Sequence, residues 1–99
     1  QTEQKVTVAL YNGTTTVGLT GTVERQLEGK FLNVDITVKE NASKNDYEKT
    51  VVVALSSGKE VEAKAIAEFL GVQVAALPQG EAKPEADILI ILGSDYPKR

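Results

Sequence analysis

The chain contains no cysteine, no histidine, no methionine and no tryptophan. Each absence removes a class of chemistry. Without imidazoles and thiolates the usual zinc sites cannot be built, and Ser-His-Asp pairs, Cys-His pairs and thiol redox couples are excluded with them. Missing cysteine does not locate the protein, because a reducing cytosol and an oxidising exterior both accept a chain without disulfides. Basic charge is also in short supply. Eleven Lys and Arg face fourteen Asp and Glu, the net charge of −3 is spread along the chain, and only Lys98-Arg99 form a basic cluster. A nucleic-acid partner, which selects an excess of cations to displace counterions, is therefore not expected. No apolar run approaches the roughly 20 residues that cross a bilayer. The run Ile88 to Leu92 has only a strand's length. The chain opens on Gln1 with no charged-then-apolar leader, which reads as a cut inside a longer protein or after processing, so any membrane anchor lies outside it.

What is present suits one domain of 99 residues with a single core that needs no staple. Lys5 to Leu10 alternates, with Val6, Val8 and Leu10 on one side, and reads as a half-buried strand. Leu19, Val23 and Leu27 recur at four-residue spacing and predict an amphipathic helix ended by Gly29. Val34 to Lys39 alternates without a fault, and Glu40 to Lys49 is a polar connection. Val51 to Leu55 is apolar throughout, as a strand covered on both faces would be. Ser57-Gly58-Lys59-Glu60 has the form of a capping box, and Val61, Ala65, Ile66, Phe69 and Leu70 supply the apolar stripe of a second helix stopped by Gly71. A short strand at 71–75, a surface excursion at 78–85 and a continuous strand at 88–92 follow.

Val6 to Gly13 and Val51 to Gly58 repeat one phrase, VTVALYNG against VVVALSSG, each followed by a helix, a glycine and a short valine strand. Two readings stand: an internal duplication, or the common demands of a strand-turn-helix junction for Gly and polar caps. Either way the expected fold is an α/β (α+β) two-layer sandwich in β-α-β-β-α-β(-β) order. It has a mixed sheet of four or five strands and two helices on one face. Alternation in the first two strands predicts that the opposite face is largely uncovered.

Three strand ends share a polar composition: Tyr11-Asn12-Gly13-Thr14, Ser56-Ser57-Gly58 and Gly93-Ser94-Asp95-Tyr96. If these strands are parallel neighbours, their carboxyl ends form a ledge where α/β folds commonly hold ligands, with Asn12, Gly13, Thr14, Ser57, Ser94 and Asp95 as candidate binding residues. Turn geometry asks for the same residue types. Gly13 to Thr20 has the spacing of a phosphate loop, but Leu19 stands where the lysine belongs. A nucleotide- or phosphate-binding role on that degenerate turn is the alternative from another class, and a structural or dimerisation spacer is a third. Glu60, Glu62 and Glu68 alternate with Lys59 and Lys64 as on a solvated helix face, so no glycosidase-like carboxylate pair is expected. Asn12-Gly13-Thr14 and Asn41-Ala42-Ser43 match the N-glycosylation acceptor pattern.

Read together, these junctions resemble the LytR C-terminal domain. The resemblance rests on Val8 to Thr14 ending a strand, Val17-Gly18-Leu19 opening a helix with Val23 and Leu27, Ala67 to Gly71, and the closing Ala86 to Tyr96. It runs over residues 5–96, leaving 1–4 as a linker remnant and 97–99 as a tail. Thr20 departs from it, since the family usually has alanine after Gly-Leu, and the second half is short. The resemblance implies an accessory domain of LytR-CpsA-Psr proteins of the bacterial cell envelope, extracytoplasmic and tethered by a preceding segment. In those proteins the phosphotransferase lies in another domain, whose arginine and aspartate motifs have no counterpart here. It therefore implies no catalytic residue, metal or cofactor for this chain. The implied partners are a cell-wall polymer, a lipid-linked precursor or an envelope protein.

Overall fold

The computed structural model describes residues 6–14, 18–31, 34–42, 47–55, 58–77 and 84–94. Seven elements follow one another: β1 (Val6–Asn12), α1 (Leu19–Lys30), β2 (Val34–Asn41), β3 (Val51–Ala54), α2 (Glu60–Leu70), β4 (Gln73–Val74) and β5 (Ile88–Leu92). The strands form one sheet in the order β2-β1-β5-β3-β4. β1 runs parallel to β2 and β5, β3 runs parallel to β4, and β3 meets β5 antiparallel. The chain is thus two β-α-β units, β1-α1-β2 and β3-α2-β4, pointing in opposite directions on either side of β5. Because crossovers between parallel strands are almost always right-handed, two units so placed deliver both helices to one face.

That face holds the main core. Leu19, Val23 and Leu27 of α1 and Ala63, Ile66, Ala67 and Leu70 of α2 pack on Val6, Val8 and Leu10 of β1, Val34 of β2, Val52 of β3 and Ile88, Ile90 and Leu92 of β5. α1 carries the expected stripe, and it runs through Gly29 to Lys30 before Phe31 leaves the helix with extended backbone. In α2 the expected stripe is only half right: Ile66 and Leu70 are buried, but Val61 is 78% exposed, Phe69 41% exposed and Ala65 exposed. Ala63 and Ala67 take the inward places, giving the i, i+3, i+4, i+7 series 63, 66, 67, 70. Small side chains there let the helix lie close to the sheet. Phe69 rests edge-on against Phe31, ring centroids 5.7 Å apart.

The cap expected for α2 from Ser57 lies outside the described residues. The first turn of the helix is entered through Lys59 without a side-chain cap, and the Glu60 carboxylate accepts a hydrogen bond from the Gly58 amide at 3.1 Å. Gly71 ends the helix in the left-handed conformation, its amide returned to Ala67 and Glu68.

The second face of the sheet is covered, contrary to the expectation from alternation. Ala9 and Tyr11 of β1, Val53 of β3 and Leu89 and Ile91 of β5 form a second buried cluster, with Ala42, Tyr47, Leu55, Leu77 and Ala86 packed against it. The β2–β3 and β4–β5 connections, with the residue after β3, thus bring side chains over this face. β2 does not keep strict alternation across the sheet. The register shifts between Val8 and Ala9, which pair with Ile36 and Val38. Val34 and Ile36 therefore face the helices and Val38 the second cluster.

Candidate functional site

The ledge expected from three strand ends divides. β1 and β5 are parallel neighbours, so 11–14 and 93–94 come together at one edge. β3 is antiparallel to β5, Val51 facing Ile91 and Ala54 facing Ile88, so its carboxyl end opens at the opposite edge. A continuous apolar run has the same composition whichever way it points, which is why the sequence did not reveal this. Ser57 and Asp95 lie outside the described residues. The fold therefore brings together Asn12, Gly13, Thr14 and Ser94.

At that edge the chain bonds to itself. The Gly13 amide donates to the Leu92 carbonyl at 2.9 Å, the Tyr47 amide to the Gly13 carbonyl at 3.1 Å, the Ser94 amide to the Tyr47 carbonyl at 2.9 Å, and the Ala42 amide to the Asn12 carbonyl at 3.0 Å. Asn12 Oδ1 accepts from the Thr14 amide at 3.0 Å and from Thr14 Oγ1 at 2.7 Å. The Gly93 amide finds the buried Thr50 Oγ1 at 2.9 Å. These bonds satisfy polar groups that burial would otherwise leave costly. Asn12 is 8% exposed and Gly13 is buried, while Thr14 is half-buried and Ser94 exposed. Only the last two present side chains on the rim.

Close approach explains the glycines. A Cβ on Gly13 would stand 2.5 Å from Tyr47 Cδ2 and 2.7 Å from the Leu92 oxygen, and one on Gly93 would meet the Lys49 backbone at 2.5 Å. Tyr47, Lys49 and Thr50, none of them singled out by sequence, are the residues that close the edge. Their polar connection carried no signal beyond loop composition.

The degenerate phosphate loop is spent elsewhere. The Gly13 and Thr14 amides, two that a phosphate cradle would use, are already bonded within the protein. Leu19, at the lysine position, is 5% exposed and part of the core. Residues 15–17 lie outside the described residues. Among the described residues there is no group of three or more Asp or Glu able to hold a metal, and no helix is long and apolar enough to cross a membrane. The glycosylation pattern at Asn12 is closed by burial, whereas Asn41 is exposed at the end of β2.

The opposite edge is tied by a different lock. Asp87 Oδ2 accepts from the Thr7 amide at 3.2 Å, and the Asp87 amide lies 2.9 Å from both the Thr7 carbonyl and Thr7 Oγ1. The Leu55 amide donates to the Asp87 carbonyl at 2.8 Å. One residue thus pins the start of β5 to β1 and β3.

The family model of the LytR cell envelope-related transcriptional attenuator, LytR_C, matches residues 5–96. The chain belongs to this family. The solution structure of the C-terminal domain of RV0431 resembles this LytR_C domain with a TM-score of 0.59 and 20% sequence identity, covering 94% of this chain and 75% of that one. The likeness is one of fold: two helices on a five-stranded mixed sheet. No curated protein matches the chain.

Proposed function

We propose that this LytR_C domain is a noncatalytic accessory module of a cell-envelope protein, holding an extracytoplasmic partner and leaving its chemistry to another domain. The partner classes are a cell-wall glycopolymer, a lipid-linked precursor or an envelope protein. Family membership supports the setting. The observation that carries the noncatalytic reading is the closure of the β1-β5 edge. There, where α/β enzymes commonly seat substrates, the backbone amides of Gly13, Gly93 and Ser94 are consumed by Leu92, Thr50 and Tyr47. A contact at this edge uses the rim, Thr14 and Ser94, with Asn12 and Gly13 as its frame.

Amide-shift titration with cell-wall fragments and with polyprenyl phosphates tests the reading. Shifts at Thr14 and Ser94 are expected. Shifts confined to α2 around Val61 and Phe69 would move the contact away from the rim, and turnover of either ligand would overturn the noncatalytic reading. The nucleotide alternative predicts thermal stabilisation by millimolar ATP or GTP with magnesium; none is expected, given the buried Leu19 and the engaged amides. The spacer reading drew on an uncovered apolar sheet face, and that face is covered.

A further inference from the structure

Asn12-Gly13 is the most reactive backbone pair in the chain. Glycine lacks the Cβ that hinders its amide nitrogen, so after proton loss that nitrogen can attack the preceding asparagine's Cγ. The N–Cγ bond forms, the Cγ–Nδ2 bond breaks, ammonia leaves, and water opens the succinimide to aspartate or isoaspartate. Water is the only co-reactant. The other asparagines, Asn33, Asn41 and Asn45, precede Val34, Ala42 and Asp46 and are hindered.

The fold opposes this ring closure in four ways. The nucleophile is tied, since the Gly13 amide donates to Leu92 at 2.9 Å. The Asn12 side chain is not free to rotate, because the Thr14 amide and hydroxyl hold its oxygen. Asn12 is the last residue of β1, paired with Asn41 on one side and Leu92 on the other, so its backbone must leave both ladders before the ring can form. At 8% exposure, little water or base reaches it. We propose that Asn12 is a site of spontaneous deamidation gated by opening of the β1-β5 edge: inert in the folded domain, reactive in any chain whose edge has opened. The isoaspartate product reroutes the main chain through the former side chain and adds a methylene. The Gly13–Leu92 and Tyr47–Gly13 bonds then cannot both re-form, so each opening that reacts is recorded permanently.

The purified chain is incubated in mildly alkaline buffer with and without denaturing urea, then digested with trypsin. Cleavage after Lys5 and Arg25 releases a peptide whose one asparagine is Asn12, and amide-to-acid conversion and isoaspartate are read from it by mass. Conversion in urea and a rate about 100-fold lower or less in buffer are expected, as for a segment whose opening draws on sheet stability. Equal rates in the two conditions, or no conversion in urea, overturn the proposal. Thr14→Ala, which removes the hydroxyl bond and leaves the backbone bonds, is expected to raise the buffer rate several-fold with the urea rate unchanged; an equal rise in both would place the effect in local sequence and overturn the role of the fold. Isoaspartate-containing chain returned to buffer is expected to melt at a lower temperature, and full recovery of Tm would overturn the permanent record.

Discussion

Glycine plays opposite parts at different residues of this domain, and substitution separates them. Gly21 and Gly29 sit in α1 with room for a side chain: an added Cβ meets nothing within 4 Å at Gly29 and only Arg25 Nη1 at 4.0 Å at Gly21. Gly21→Ala and Gly29→Ala are each expected to raise the unfolding free energy by about 0.5–1 kcal/mol, read from urea midpoints, because alanine loses less backbone entropy in a helix. Gly93→Ala is expected to lower it by about 1–3 kcal/mol, since its Cβ would lie 2.5 Å from rigid Lys49 backbone. If Gly93→Ala leaves the midpoint unchanged, the tight closure by residues 47–50 is wrong. Sequence marked Gly29 as a helix stop; the left-handed stops are instead where the chain turns, as at Gly71, and Gly29 is simply helical.

Among the elements, α2 most needs its tertiary neighbours to decide which side faces in. Its sequence offers two overlapping apolar stripes, Val61-Ala65-Ile66-Phe69-Leu70 and Ala63-Ile66-Ala67-Leu70, and the first carries the larger side chains. The sheet chooses the second, because alanines permit close packing and Ile66 and Leu70 reach the core. Ile66→Ala is expected to cost about 2–5 kcal/mol, and Val61→Ala to stay within about 0.5 kcal/mol. Comparable losses at both sites would contradict the observed facing. α1 is tied to β2 by the Lys39–Glu24 pair at 2.8 Å, with side chains 45% and 23% exposed. Lys39→Ala should therefore cost less than about 1 kcal/mol and nothing measurable in high salt.

In the molecule as a whole, β5 is the keystone. It separates the two β-α-β units, pairs with both inner strands, and is buried on both faces. A chain ended at residue 84 is expected to lack a cooperative urea transition and dispersed amide resonances, because neither unit can bury its inner strand alone. A folded, cooperative truncation would show that the halves are independent. The repeated phrase in the sequence finds its place here: its two copies are the inner strands, antiparallel across β5, so the shared ending leads to opposite edges.

The sequence by itself determined the elements, the two-helix layer and the double burial of the last strand, because period and apolar run length report burial wherever a segment lies. It also carried the order of motifs that marks a LytR_C domain. Strand direction, the inward flank of α2, the cover on the second face and the closure of the β1-β5 edge were decided only by tertiary structure. Each of these depends on which distant segments meet, and neither a run such as Ile88 to Leu92 nor a loop such as residues 47–50 encodes its partners in its own composition.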